Sequence, residues 1–333
     1  MQKNYDGFLQ QDFAQSQFLT YLRRNTNNLE SILTIRNLNK HYGHNRAVDD
    51  ISFSVEKGSV YGLLGPNGSG KTTTLGMILG VIQPLSGQCN WFGQPVSPQL
   101  LKRVGAVLEQ PNFYPYLSGI DNLKIVADIK SAPYERIAEV LELVELGDRG
   151  KHRFKTYSLG MKQRLAIAGS MINQPEVLVL DEPTNGLDPE GIIDIRKLIV
   201  DIAAMGTTII LASHLLDEVE RVCSHVGVLR KGKLLFSGRV DEIAKNRKEE
   251  YLEMVADDMD RLVAVLNTYP GLKKVDREGE KLLVFFEDKP NVKSLNQFLM
   301  KEDIVLTHLA VKKPSLENQF LDLIKQPQKP KAK

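Results

Sequence analysis

Two rhythms of apolar positions run along this chain. Ile51, Phe53 and Val55 alternate with Ser52 and Ser54, the period-two pattern of a half-buried strand. The short apolar run 60–64 empties into a glycine-rich turn, and 72–79 then reads as a helix. Between about 115 and 170 the period becomes helical. Ile137, Val140, Leu141 and Val144 recur at i, i+3, i+4 and i+7, with Pro133 suited to the first turn of that helix. The runs 177–180 and 208–212 are β-branched and wholly apolar, as strands buried on both faces of a parallel sheet must be, and two helical patterns separate them. A further apolar stretch from Leu229 to Phe236, broken at Lys231-Gly232-Lys233, predicts a hairpin.

The pattern also divides the chain. Residues 1–31 are rich in Gln and Asn and form an extension, with at most a weak helix using Phe18, Leu19 and Leu22; order begins near Ser31. The main domain spans 32–240, and the charged stretch 241–250 links it to a second unit at 251–326. There the expected order is strand 251–255, helix 259–266, strands at Val275 and 282–286, helix 292–300, strand 304–311 and helix 316–324. That order makes a small α+β domain of ferredoxin-like kind. The tail 327–333 is Lys- and Pro-rich and is expected to stay disordered.

Composition narrows the setting. The 333 residues are 42% hydrophobic and 25% charged with net charge +2, so no global field calls for nucleic acid or an anionic surface. No apolar run approaches the ~18 residues that a spanning helix needs. If the protein works at a membrane, another chain must carry the spanning helices. Asp6 and Asp12, with no apolar block beside them, do not make a secretory signal. Cys89 and Cys223, far apart, are expected to be buried free thiols in a reducing compartment.

The candidate chemistry starts at Gly65-Pro66-Asn67-Gly68-Ser69-Gly70-Lys71-Thr72, which fits G-x-x-x-x-G-K-[ST] and is followed by Thr73. The glycines let the backbone curl so that successive N–H groups face phosphate oxygens, and the following helix offers its N-terminus to the same anion. Lys71 is then placed for the β- and γ-phosphates and the Thr72 hydroxyl for Mg²⁺. The motif follows a predicted strand and opens a predicted helix, the context it requires. On its own it says that a nucleoside triphosphate binds.

The second element is the apolar run 177–180 followed by Asp181-Glu182. A buried strand delivers Asp181 to its carboxyl end, where α/β sheets bind ligands, and Asp181 can enter the Mg²⁺ shell. Glu182 points elsewhere and can polarise the attacking water as general base. An acidic turn after a core strand is common in itself; the phosphate cradle on the same chain decides for chemistry. His214 follows the strand 208–212, where it can sense the γ-phosphate.

With these residues in hand, the chain resembles the ATP-binding-cassette (ABC) ATPases, most closely the bacterial ABC-2 type exporter ATPases. Tyr157-Ser158-Leu159-Gly160-Met161-Lys162-Gln163-Arg164 resembles the family's signature segment, Asp181 to Pro189 its Walker B plus D-loop with Asp188, and Leu211-Ala212-Ser213-His214 its H-loop. Tyr42, in His41-Tyr42-Gly43, sits where the family has an aromatic that stacks on adenine. The resemblance implies an α/β P-loop NTPase, with a RecA-like core, an antiparallel β portion and a helical lobe near 115–170. It implies ATP and Mg²⁺, and a head-to-tail dimer in which Ser158 and Gly160 of one copy meet the γ-phosphate held by Lys71 of the other. A homodimer would have two complete sites; a heterodimer with a related ATPase is the alternative.

Two departures stand out. Leu159 replaces the signature's first glycine, so the backbone there must be conventional or the phosphate contact weakened. The family's Q-loop glutamine falls on Glu109 with Gln110 next, and both are candidates to approach Mg²⁺ and the water.

The partner implied is an ABC-type membrane permease, which would hold the chain peripherally at the cytoplasmic face of the membrane. The aromatics Phe113, Tyr114 and Tyr116 lie where the family receives a coupling helix, and 313–320 resembles the tail of the exporter ATPases. The rival is a soluble, non-transport member acting on ribosomes or DNA. One cassette rather than two, no interrupting heptads and near-neutral charge count against it. A P-loop GTPase is disfavoured because no N-K-x-D segment occurs.

Overall fold

The computed structural model describes residues 30–109, 111–245, 251–287 and 291–312. Gln110, the extension before Glu30, half of the linker (246–250), the helix expected at 316–324 and the tail lie outside these residues. The chain separates into two compact units, with the division between Val240 and Asp241.

The first unit holds two sheets. One is antiparallel: β1 (Ser31–Tyr42) lies between β2 (Asn45–Glu56) and β4 (Ser86–Trp91), with the short β5 (Gln94–Pro95) at the edge. The other takes the order β10-β9-β3-β8-β7-β6, from β3 (Val60–Leu64), β6 (Val104–Val107), β7 (Val177–Asp181), β8 (Thr208–Ser213), β9 (His225–Arg230) and β10 (Lys233–Arg239). All neighbours in it are parallel except the β9–β10 hairpin. Every residue of β3, β7 and β8 is buried, which is why their sequences are largely apolar, with Thr208 at the start of β8 and Asp181 and Ser213 at the ends of β7 and β8 as the buried polar exceptions. Lys231 and Gly232 turn the hairpin with φ of 47° and 77°, the left-handed pair that two-residue loops require.

The helices are α1 (Lys71–Ile78), the single turn α2 (Pro98–Leu101), α3 (Gly119–Lys130), α4 (Glu135–Leu143), α5 (Leu159–Met171), α6 (Pro189–Ala204), α7 (Leu216–Val222) and α8 (Val240–Lys245). Both sheets share one core. Phe53 of β2 stacks on Tyr61 of β3 at 5.1 Å, and the buried Trp91 indole donates to the Ile78 carbonyl at 2.7 Å, tying β4 to the end of α1. The helical lobe of α3, α4 and α5 is pinned by Asn122. This buried amide bonds the Tyr114 backbone in both directions and donates to the Ser118 carbonyl.

Four local expectations are corrected. Only one helix, α6, separates β7 from β8: Glu182 and Gly186 take positive φ and turn the chain before Pro189 can start a helix. Pro133 precedes α4 rather than lying in its first turn, with its carbonyl accepting from Arg136 N–H. Cys89 is half-buried, with burial pushing its thiol up to about 11, whereas Cys223 is fully buried. Finally, β1, β4 and the short β5 and β6 are strands that the alternation did not flag, because β4 carries mostly polar residues and β1 shifts register four times against β2.

The second unit runs β11 (Tyr251–Ala256), α9 (Met259–Leu266), β12 (Leu272–Glu278), β13 (Lys281–Phe286), α10 (Val292–Lys301) and β14 (Leu306–Lys312). The strands are ordered β12-β13-β11-β14, all antiparallel, the arrangement of a β-α-β-β-α-β sandwich. Leu252, Met254, Leu282 and Val284 point into its core with Leu262 and Leu266 of α9 and Leu295 and Leu299 of α10.

One packing constraint is directly testable. A Cβ at Gly105, in β6, would sit 2.6 Å from the Ser170 carbonyl oxygen at the end of α5. Gly105→Ala should therefore destabilise the first unit by about 1–3 kcal/mol. Urea unfolding followed by fluorescence of Trp91, the one tryptophan, reads that unit alone; an unshifted midpoint would show that α5 gives way freely.

Candidate functional site

The site is built where three fully buried strands end together. β3 stops at Leu64 and the chain enters the loop 65–70, with Gly68 at φ 77° and Gly70 at φ 105°. Gly70 caps α1, and a side chain there would strike the Ala47 carbonyl, since its Cβ would lie 2.3 Å from that oxygen. A glycine is thus demanded twice at one residue, by conformation and by close approach. The same close approach brings β2, just after the β1–β2 turn, against the loop. Tyr42, at the end of β1 and half-exposed, stands beside that turn with Lys40 Nζ 5.4 Å from its ring centroid.

Lys71, the first residue of α1, is buried. Its Nζ donates to the Gly65 carbonyl at 2.7 Å and to that of Pro66 at 3.4 Å, and pairs with Glu182 Oε1 at 3.2 Å. Thr72 follows it, its hydroxyl near enough to the Asp181 carboxyl to pull that group's pKa downwards. Thr73 continues α1, half-buried. Pro66 and Asn67 lie on the exposed side of the loop. Ser69 is buried and its Oγ has no hydrogen-bond partner.

Asp181 ends β7. Burial raises its carboxyl above the ordinary carboxylate range; the Thr72 hydroxyl opposes the shift, the neighbouring Glu182 charge adds to it, Lys71 lowers it, and Glu109 raises it further. Its Oδ1 is buried without a hydrogen-bond partner. A buried carboxylate oxygen without a donor, beside a threonine hydroxyl, is an oxygen donor set that suits Mg²⁺, which binds through one or two protein oxygens and completes its shell with phosphates and water. Glu109 holds φ at 57° and is close enough to influence Asp181.

Glu182 lies one residue past the strand at φ 48°, with its N–H still bonded to the Ala212 carbonyl of β8 at 2.9 Å. That left-handed turn sends its carboxylate away from Asp181 and towards β8. There Oε2 meets His214 Nδ1 at 2.7 Å. The Lys71, Glu182 and His214 side chains therefore form one continuous polar line across the ends of β3, β7 and β8.

The signature residues are elsewhere. Ser158 caps α5, its Oγ accepting from Met161 N–H at 3.2 Å, and Leu159 occupies the first helical position without positive φ, which settles its backbone as conventional. Ser158, Leu159 and Gly160 line an open depression of about 450 Å³ with Gly186, Leu187 and Asp188. Leu159 Cδ2 lies 3.3 Å from where a Cβ on Gly186 would be, so the leucine packs on the bare glycine. Asp188 also caps α6, accepting from Gly191 N–H at 3.0 Å. No residue of the 65–73 segment lines this depression. The 65–73 segment and this depression are thus two separate features of the chain.

Of the aromatics, Phe113 packs edge-on against Phe154 at 5.3 Å inside the helical lobe, whereas Tyr114 and Tyr116 are exposed and neighbour each other at 5.9 Å. The sequence reading missed Glu218 and Thr184, both buried beside the site. The available signal was an acid at position 218 immediately before Val219 and Val222 on the buried face of α7.

Comparisons with known proteins bear on this arrangement. The profile of the ABC transporter family matches residues 48–185. The bacitracin transport ATP-binding protein of Bacillus licheniformis is 37% identical over 301 residues, covering 89% of this chain and 98% of that protein. The Nod factor export ATP-binding protein I of Cupriavidus metallidurans is 35% identical over 268 residues, 78% of this chain and 88% of that protein. Among solved structures, cbiO1 from Clostridium perfringens, part of the ABC transporter complex cbiONQ, superimposes with a TM-score of 0.61 at 30% identity over 66% of this chain and 92% of its own.

The buried acid makes a stability prediction. Because the folded carboxyl of Asp181 titrates above its unfolded value, ionising it costs the fold stability as pH rises through the folded pKa, and costs nothing once pH falls below the unfolded one. Asp181→Asn should therefore raise the melting temperature of the protein without nucleotide at neutral pH, and this gain should vanish in acid. Thermal melts from pH 3 to 8 check it; equal curves throughout would refute the burial penalty.

Proposed function

This chain belongs to the family of ABC transporter ATP-binding proteins, and from that premise we propose how its residues bind and hydrolyse ATP and what they drive. It is an ATPase subunit of a transporter. The observation that carries the mechanism is the unbroken line Lys71–Glu182–His214 beside the Thr72–Asp181 pair.

The loop 65–70 presents backbone N–H groups to the phosphates, and Tyr42 offers its exposed ring to the adenine. Lys71 leaves its contacts with Gly65, Pro66 and Glu182 to neutralise the β- and γ-phosphates. Thr72 and Asp181 would hold Mg²⁺, with Glu109, near enough to influence Asp181, as the described candidate for the Q-loop role; the ion would neutralise charge that develops on the transferred phosphoryl group. Freed from Lys71, Glu182 takes the proton of the attacking water. His214, anchored by its hydrogen bond to Glu182, holds the base in orientation and reads the γ-phosphate. The electrostatic logic is one of exchange: the cation that pairs with the base before binding becomes the cation that clamps the substrate.

The second half-site gives the reason for a dimer. Ser158 and Gly160, at the N-terminus of α5, carry donors suited to a phosphate and lie apart from the 65–73 loop. A second copy placed head to tail brings its own signature segment to that loop, with Asp188 at the seam. Closure on ATP and reopening after hydrolysis then supply the mechanical stroke. Among the described residues no helix is long and apolar enough to cross a membrane, so the stroke is delivered to a separate permease. Tyr114 and Tyr116 are the exposed aromatic surface we assign to that contact, with the chain peripheral at the cytoplasmic face of the membrane. Export is the direction we assign, supported by the relative named for Nod factor export and by the 313–320 run.

Glu182→Gln should keep ATP affinity while slowing hydrolysis about 10²–10⁴-fold, and should accumulate an ATP-bound dimer on a sizing column. Hydrolysis at the wild-type rate would remove Glu182 from the role of base. Lys71→Ala should instead weaken nucleotide binding itself; an unchanged titration with a fluorescent ATP analogue would contradict the clamp.

A further inference from the structure

Behind the Glu182–His214 pair lies a carboxylate that the mechanism above does not use. Glu218, on α7, is 1% exposed. Its Oε1 accepts a hydrogen bond from Thr184 Oγ1, and its Oε2 accepts one from Ser213 Oγ at 2.5 Å. Both hydroxyls are themselves buried, Thr184 at 3% and Ser213 at 0% exposure. Ser213 Oγ in turn accepts from Leu215 N–H at 3.0 Å. Among the described residues no cation pairs with Glu218.

A buried carboxylate without a counter-ion is expensive; an apolar residue of similar volume would serve the fold better. Its position shows what the cost maintains. Thr184 lies two residues after Glu182, in the turn where Asn185 N–H donates to the Glu182 carbonyl at 3.1 Å. Ser213 immediately precedes His214. One carboxylate therefore grips the backbone leaving β7 and the backbone leaving β8, and these two segments carry the two partners of the 2.7 Å Glu182–His214 bond. Among the described residues neither Lys71 nor the loop 65–70 makes a hydrogen bond or ion pair to Glu218 itself, and the loop meets this network only through the backbone, where Gly65 N–H donates to the Ser213 carbonyl at 3.2 Å.

We propose that Glu218 is a positioning residue for hydrolysis: through Thr184 and Ser213 it fixes the separation of Glu182 and His214, and so sets the turnover rate without contributing to nucleotide binding. The proposal rests on Glu182 acting as the base. Glu218→Gln keeps the shape but offers an amide N–H₂ where one hydroxyl needs an acceptor. Thr184→Val, equally isosteric, removes one of the two grips, and Thr184→Ser retains it. A displacement of the base by even a fraction of an ångström costs rate rather than affinity, so a ten- to hundred-fold effect on kcat is expected, by the usual sensitivity of reacting geometry, about 10²-fold per ångström.

The test uses the full-length chain with Mg²⁺-ATP, measuring single-turnover hydrolysis, Kd for a fluorescent ATP analogue and Tm. Glu218→Gln and Thr184→Val should each slow hydrolysis by about tenfold or more, with Kd unchanged within about twofold. Thr184→Ser should recover most of what Thr184→Val loses. In a Glu182→Gln background Glu218→Gln should add no further loss, because it acts through the residue already removed. Hydrolysis at the wild-type rate in both isosteric variants, with Glu182→Gln inactive, would overturn the role of Glu218 alone. A joint fall of rate, affinity and Tm would overturn it as well, by showing a purely structural residue. Full activity in Glu182→Gln would instead bring down the assignment of the base. Should Glu218→Gln not fold, the Thr184 pair decides by the same criteria.

Discussion

The ion pair between Lys71 and Glu182 is the interaction around which this molecule is organised. It places a buried ammonium 3.2 Å from a carboxylate at the edge of an apolar sheet. Such a pair costs desolvation on both sides, and its attraction offsets that only when further hydrogen bonds finish the job. Here they do: the Gly65 and Pro66 carbonyls take the ammonium, and His214 takes the other carboxylate oxygen. Holding these groups in register requires β3, β7 and β8 to end at the same level. Their pairing delivers this, with Leu64 opposite Ser213 and Asp181 opposite Ala212. The rest of the first unit follows from that requirement. The core shared with the antiparallel sheet lets these strands be largely apolar, and that sheet also lays Ala47 against the phosphate loop, leaving room only for glycine at position 70.

Much of this was legible in the sequence, for a physical reason. A strand buried on both faces has no choice of composition, and a phosphate loop has little, so Val60–Leu64, Gly65 to Thr72, and Asp181-Glu182 announce themselves. Less constrained elements did not. β4 is half-buried and polar, and β1 is broken by register shifts, so neither keeps a clean alternation. That a single helix joins β7 to β8 was not legible, because composition cannot show that Glu182 and Gly186 adopt left-handed φ. Glu218 was hidden for a different reason: a lone acid in a helical stretch reads as a solvated residue until its burial is known. The packing of Leu159 on Gly186 was likewise invisible, although the substitution that creates it was plain.

The two units illustrate different relations between sequence and role. In the first, the polar residues at the ends of the buried strands gather at one place, where Lys71, Asp181, Glu182 and His214 meet. In the second, the apolar periodicity of β11, β13, α9 and α10 accounts for the fold completely, and its charged residues cluster on the sheet as a neutralised set, with Glu253 facing Lys281, His308 and Lys312. Among its described residues one buried side-chain atom, His308 Nε2, lacks a hydrogen-bond partner, and it lies 3.5 Å from Glu253.

Glu182 occupies its place in a backbone conformation that glutamate adopts only under constraint. Glycine would adopt the same φ without steric penalty. At this one position, then, conformational ease and chemical competence pull in opposite directions. A glycine at position 182 would relieve the backbone and, in the same step, remove the carboxylate that meets both Lys71 and His214. The left-handed turn is thus a strain that this fold carries for the sake of one side chain's reach.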